Sequence, residues 1–227
     1  MSEIITKAFI YDDNYFANVK DFLNDEMGIA CSLSDDNTTL IVDISENLRV
    51  TSAKTNTSSS SRGITYSIYI NGEVKVTSSS NYTIESNKWV YVSAIKKSDS
   101  EYAFGFSSAS TTTSLEVFVS TATSVDKTET IPCIAMISAD RQYTWRLCEK
   151  SSNIGSFMIP YVQNTNVVQL SQLALQHCGY ICENLYREIE GIHMNAGKVQ
   201  IGGKTFACSG GFNSNISKYT PIFLKLD

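Results

Sequence analysis

Residues 64–76, ITYSIYINGEVKV, hold two alternating apolar runs that meet at Asn71-Gly72, and this stretch decides the fold class. Asparagine followed by glycine supplies the two left-handed residues of a tight hairpin turn, whose twist matches that of the strands it joins. The register is less obvious than the turn. A two-residue loop sets Ile70 opposite Glu73 and Ile68 opposite Lys75, and throws Val74 and Val76 onto the face of Tyr69 and Ser67. A three-residue loop, Ile70-Asn71-Gly72 with Gly72 left-handed in a bulge, pairs Ile68 with Val74 and Tyr66 with Val76 on one apolar face. The second register is the predicted one, because it buries both valines.

Working outward, 227 residues suffice for one sizeable core or two modest domains. Two β-rich domains are expected, 1–122 with an N-terminal helix and 123–227, divided at the polar run Ser120 to Thr130. The fold class is mainly β, built of antiparallel sheets with one amphipathic helix. A net charge of -5 argues against a broad grip on nucleic acid, which needs a basic face to neutralise phosphates. The opening MSEIITKAFIYDDN lacks the basic flank and apolar core of a signal or anchor. Nor does any later run reach the ~18–20 apolar residues of a spanning helix, so no membrane partner is expected. Cys31, Cys133, Cys148, Cys178, Cys182 and Cys208 are scattered, unlike a secreted disulfide framework, and read as reduced, mostly buried thiols.

Between Asp13 and Met27 the residues Tyr15, Phe16, Val19, Phe22, Leu23 and Met27 recur at three- and four-residue steps, predicting a helix with its stripe on a sheet. Asp12 or Asp13 is placed to cap it, and Gly28 to end it. Thr39 to Ile44 and Leu48 to Ser52 read as strands after an Asp35-Asp36-Asn37 turn, and Thr55 to Ser61 as a flexible loop. Trp89 to Ile95 suits a strand covered on both faces; Tyr102, Phe104 and Phe106 mark another, and Leu115 to Val119 one more. Ile131 to Ser138 and Tyr143 to Leu147 follow as strands, with Pro132 at a strand start or edge. Val167 to Leu185 is open to two readings: Val167, Leu170, Ala174 and Cys178 fit a helix, whereas Val168, Leu170, Leu173 and Leu175 fit strands with a break, and strands and loops are the preferred reading. Val199 to Phe206 predicts a hairpin turning at Gly202-Gly203, with Val199 opposite Phe206 and Gln200 and Thr205 outside, and Pro221 to Leu226 a last strand.

Candidate chemistry is sparse. His177, Cys178, Cys182 and His193 carry metal-ligand groups, but three residues separate the two cysteines and no second close pair completes a zinc site. They read as free thiols and ordinary histidines, and neither metal nor cofactor is expected. Ser209 lacks the strand–turn–helix context of a hydrolase nucleophile, and Cys178 or Cys208 would need His177 or His193 beside it as base. Glu183, Glu188 and Glu190 would need a cleft to act as acid and base, and read as solvated surface. Gly202-Gly203 and Gly210-Gly211 lack the helix and Lys-Ser/Thr pair of a phosphate loop, and read as turn glycines. Asp12-Asp13 and Asp35-Asp36 lack the spacing of a calcium loop. Tyr82, Trp89 and Tyr102 could stack on sugars if exposed, but most of them read as core. No catalytic residue is assigned.

The amphipathic helix, the ITYSIYINGEVKV hairpin in its Ser/Thr-rich surroundings and the C-terminal GKVQIGGKTFACSGGF together resemble structural proteins of tailed bacteriophage virions. In such proteins a segment like Glu183-Asn184-Leu185-Tyr186, followed by Gly197 to Phe206, resembles a recurring end to the chain. The resemblance covers the whole length loosely. It implies a non-enzymatic subunit of the tail, baseplate, neck or capsid surface, assembled in the host cytoplasm. It further implies a homo-oligomer or multi-copy component that contacts other virion proteins. A second resemblance is narrower: Asn71-Gly72 with Asn87-Lys88-Trp89-Val90-Tyr91-Val92 is similar to the sheet of a jelly-roll lectin, which would imply a glycan partner on a host surface.

Overall fold

The computed structural model describes residues 3–58, 61–77, 82–84, 88–108, 114–137, 144–150, 156–161, 168–175, 179–191, 197–208 and 222–227. The chain opens with β1 (Ile5–Ile10), helix α1 (Tyr15–Asp21) and a π-helical turn (Phe22–Glu26). It continues through β2 (Ser32–Leu33), β3 (Thr39–Asp43), β4 (Leu48–Ser58), β5 (Ser61–Ile70), β6 (Glu73–Thr77) and β7 (Tyr82–Ile84). Next come β8 (Trp89–Ser98), β9 (Glu101–Ser108), β10 (Ser114–Ser124), β11 (Thr130–Ile137) and β12 (Thr144–Cys148). The last strands are β13 (Ser156–Tyr161), β14 (Val168–Leu175), β15 (Tyr180–Gly191), β16 (Gly197–Ile201), β17 (Lys204–Cys208) and β18 (Ile222–Lys225).

Every described pairing is antiparallel, so the mainly-β class and the short helix stand as expected. The smaller sheet runs β2-β3-β4-β5-β6, with β7 also on β5. The larger runs β1-β8-β9-β10-β15-β18-β17-β16, with β11 and β12 branching from β10 and β14 and β13 from β15. The branch arises because β10 keeps β11 along one edge while its other edge passes from β9, up to Val119, to β15, from Ala122. The boundary expected between 122 and 123 falls inside β10, where Ala122 and Thr123 both pair with β11 and with β15.

Alternation places two cores on opposite faces of the larger sheet. Val90, Val92, Tyr102, Phe104, Phe106, Val117, Val119, Ile134 and Met136 join the helix and the smaller sheet in the first core. Ile95, Ala103, Phe118, Cys133, Ala135 and Cys148 join Leu173, Leu175, Cys182, Leu185, Ile222 and Leu224 in the second. The strand at Trp89 is covered on both sides only in its middle, since Trp89 itself is exposed.

The helix buries Tyr15, Phe16 and Val19, and the π-helical turn adds Phe22 and Leu23. Gly28 ends it at φ +65°, the left-handed stop the sequence predicts. The cap differs from expectation. Asn14 occupies the capping position without a side-chain cap, and Asp12 instead accepts the Asn14 amide at 2.9 Å in the turn before it.

The central hairpin also differs. Asn71 (φ 52°) and Gly72 (φ 77°) form a two-residue turn, with Ile70 opposite Glu73 and Tyr69 opposite Val74. The bulge lies farther along, at Lys75 of β6 opposite the step from Ile68 to Tyr69, so Ile68 meets Val76 rather than Val74. Moving the bulge away from the turn keeps its favoured twist and still returns Val76 to the core, at the cost of leaving Val74 52% exposed. The expected loop from Thr55 to Ser61 is largely strand: Thr55 pairs with Gly63, Asn56 with Arg62 and Ser58 with Ser61. Backbone pairing sets this extension, and threonine favours the extended conformation. The C-terminal hairpin holds its predicted register, Val199 opposite Phe206, but Thr205 is buried beneath the Gln200 amide, which donates to its hydroxyl at 2.8 Å. Pro132 sits near the start of β11, just before the pairing with β12 begins at Cys133.

One turn is built twice from the same letters. In Ser34-Asp35-Asp36-Asn37-Thr38 the Asp36 carboxylate accepts from the Ser34 hydroxyl (2.6 Å) and from the Thr38 amide (3.1 Å) and hydroxyl (2.8 Å). In Ser124-Val125-Asp126-Lys127-Thr128 the Asp126 carboxylate repeats this at 2.5, 3.1 and 2.8 Å. The fourth residue is left-handed in both, Asn37 at φ 56° and Lys127 at φ 59°. The second of these turns joins β10 to β11 within the polar run Ser120 to Thr130.

Hydrogen bonds from Ser34 and then Thr38 hold the Asp36 carboxyl down at about 2, and those from Ser124 and Thr128 lower Asp126. Because the folded state binds these protons less tightly, each turn adds stability above the ordinary carboxylate range and loses it as pH falls through the folded value. A carboxyl-carbon NMR titration should place the Asp36 midpoint near 2, and Ser34→Ala should move it back toward 3.8. Gly72 has open space where a Cβ would sit, so Gly72→Ala tests backbone strain alone. The variant should lose about 1–2 kcal/mol in urea unfolding with an unchanged slope.

Candidate contact surface

The β1 strand occupies one end of the larger sheet and, among the described residues, pairs with β8 alone. The Tyr11 amide donates to the Lys88 carbonyl at 2.8 Å, which makes 11/88 a hydrogen-bonded pair and, counting back by twos, 9/90, 7/92 and 5/94 as well. Thr6 and Ala8 therefore alternate out of the ladder, and their backbone groups point to an edge that is open among the described residues, whereas the Ile10 carbonyl accepts from the Asp12 amide at 2.9 Å.

The two faces of β1 differ. On the core side Phe9 meets Tyr15 and Phe22, with ring centroids 6.5 and 6.0 Å apart. Lys7 stays on that side too: its Nζ lies 5.6 Å from the Phe22 ring centre and 2.5 Å from the Glu26 carboxylate. On the other side stand Thr6, whose hydroxyl is 2.6 Å from that of Ser93, then Ala8 opposite Tyr91, and Ile10 opposite Trp89. Ile10 is 40% and Trp89 53% exposed, and Tyr91 half-buried. Cross-strand neighbours in a non-hydrogen-bonded pair have their side chains close together, so Ile10 and Trp89 form one apolar patch at the strand end.

The same sheet face carries buried polar groups farther in. Ser93, Gly105 and Glu116 lie in one row with Thr6, and Arg146 stands diagonally across β11 from Glu116. Glu116 and Arg146 are buried, as are Ser107 and Ser120. No family model matches this chain, and neither does any curated protein or any solved structure.

The residues singled out by chemistry are dispersed or lie elsewhere. His177, Cys178, His193, Ser209, Gly210 and Gly211 fall outside the described residues, as does the Tyr82 side chain. Cys182 is buried on β15, where its companions are Cys133 and Cys148. Among the described residues no group of three or more His, Cys, Asp or Glu is arranged to hold a metal ion. Glu183 is half-buried on β15, which also carries Glu188 and Glu190. Gly202 and Gly203 are turn glycines at φ 56° and 76°. Of the candidate aromatics, Tyr102 is core and Trp89 surface.

Sequence reasoning overlooked β1 as a strand and overlooked Glu116 and Arg146. The signal for β1 was the alternation of Thr6, Ala8 and Ile10 against Ile5, Lys7 and Phe9, obscured because both sets contain apolar residues. Burial pushes the Cys31 thiol up to about 12 and the Tyr102 phenol higher, so both remain protonated and unreactive near neutral pH.

Proposed function

We propose that this chain is a non-enzymatic structural subunit of a tailed bacteriophage virion, acting through contacts with further copies and with neighbouring virion proteins. The observation that carries the reading is the open edge of β1 beside the exposed Ile10–Trp89 pair. A strand edge offers unpaired N–H and C=O groups to another strand, and an apolar patch beside it adds burial on docking. The resemblance of the C-terminal hairpin segment to phage structural proteins supplies the particle. Assembly in the host cytoplasm fits the unoxidised thiols of Cys31, Cys133, Cys148 and Cys182. Many copies in a symmetric particle need only modest contacts each.

The Ala8 amide points to the open edge, so Ala8→Pro removes an edge donor while sparing the ladder to β8. Light scattering over a concentration series should show self-association in the native chain. The Ala8→Pro/Trp89→Ala double variant should remain monomeric with an unchanged circular dichroism spectrum. A native chain that stays monomeric at high concentration, and that antibody labelling fails to find on phage particles, would sink the reading.

The exposure of Trp89 beside Tyr91 also favours a second reading, a glycan-binding module that adheres to a host surface. In that case a glycan array should register binding by the native chain that is lost in Trp89→Ala with the fold intact. A blank array with the native chain would leave the patch to protein contacts.

A further inference from the structure

Cys133, Cys148 and Cys182 are far apart in sequence yet share the second core, all three buried and unoxidised. Cys133 stands directly opposite Cys148 on the antiparallel strands β11 and β12. The Glu149 amide donates to the Pro132 carbonyl at 3.4 Å, which makes 132/149 the hydrogen-bonded pair and 133/148 the non-hydrogen-bonded one. In such a pair the α-carbons are ~4.5 Å apart, inside the ~4.4–6.8 Å that a disulfide spans.

Cys182 is the competing partner, because its thiol hydrogen-bonds that of Cys133. It sits on β15, with β10 in between: Ser120 opposes Cys133 and Ala122 opposes Cys182. Two strand spacings, ~9.5 Å in all, exceed the reach of a disulfide. The register therefore selects one pair of the three.

We propose that Cys133 and Cys148 form a cross-strand disulfide, by exchange with a low-molecular-weight disulfide, that locks β12 to β11. Among the described residues β12 pairs with β11 alone, so opening this strand exposes Cys148 first. The Cys148 thiolate attacks one sulfur of the reagent, breaking its S–S bond and expelling one thiolate, which leaves a mixed disulfide on Cys148. Cys133 then attacks the Cys148 sulfur, expels the second reagent thiolate and closes the bond. Two protein thiols are oxidised, one reagent disulfide is reduced, and the two protons released by the protein thiols are taken up by the two expelled thiolates. The hydrogen bond that the Cys133 thiol donates to Cys182, together with burial, keeps Cys133 protonated in the closed core, so reaction follows opening.

The test uses the full chain with oxidised glutathione, in urea raised until hydrogen exchange shows the β12 amides opening. Remaining thiols are then alkylated, and the digest is read by mass spectrometry without reduction. A peptide linking Cys133 to Cys148 is expected in the native chain and in Cys182→Ser, with loss of two alkylatable thiols. That link should be absent from Cys148→Ser and from Cys148→Ala, which keeps the core apolar should serine disturb folding. A Cys133–Cys182 link in its place, or Cys133 and Cys148 both free after the β12 amides have exchanged, overturns the proposal.

Discussion

The Phe106 ring meets Tyr15 and Phe16 of the helix, Tyr66 of the smaller sheet and Phe104 of its own strand at centroid distances of 6.4, 6.4, 6.0 and 6.3 Å. Such contacts add ~0.5–1.5 kcal/mol each beyond the burial of the rings. Their position matters more than their sum. A seven-residue helix is too short to persist by itself, and the smaller sheet has an apolar face that needs a cover. Both needs are met at Phe106. Polar groups follow the same plan: the buried Tyr11 hydroxyl donates to the Gly63 carbonyl at 2.8 Å, and Lys54 reaches the Asp12 carbonyl at 2.9 Å while its Nζ lies 5.9 Å from the Phe16 ring centre.

Because the helix and the smaller sheet occupy one face of the larger sheet, its other face must find a second cover or remain wet. The C-terminal strands supply it, and β10 is where they attach, since its edge changes partner between Val119 and Ala122. Small residues at the change, Ser120 and Ala122, let the strands that flank β10 bring their side chains together over it. The thiols of Cys133 and Cys182 converge there for that reason. Burial of Glu116 and Arg146 follows too: charged residues alternating with apolar ones signal a solvated face, but a sheet covered on both sides has none in its middle.

This sets the limit of what was legible in the sequence. Elements governed by local chemistry could be read: the Asn71-Gly72 and Gly202-Gly203 turns, the Gly28 stop, the helical stripe, and the strands at Tyr102–Phe106 and Ile131–Ile137. Features that depend on a partner far along the chain could not. The bulge in the central hairpin satisfies the turn and the core together, and only the covered face of β5 shows which valine must be buried. Thr55 to Ser58 reads as a loop because its letters carry no apolar alternation, and its strand is set by pairing with residues 61–63. The candidate surface was legible in one residue: Trp89 was singled out, but its neighbour Ile10 comes from a strand whose pairing lies almost eighty residues away in the chain.

Among the described residues the strand edges differ in how they are guarded. On the smaller sheet β2 has two residues, and β6 carries a bulge and the Glu73–Lys75 ion pair at 2.5 Å, devices that discourage a further strand. At the far end of the larger sheet, β16 presents Lys198 and Gln200 to solvent. Along β1 the usual guard is turned inward, because Lys7 is held over Phe22 by Glu26. Six residues without proline or bulge remain, uncharged on the outer face and ending beside Trp89. An edge of that kind is a template for a further strand, and it is the edge that the proposed contact between subunits would use.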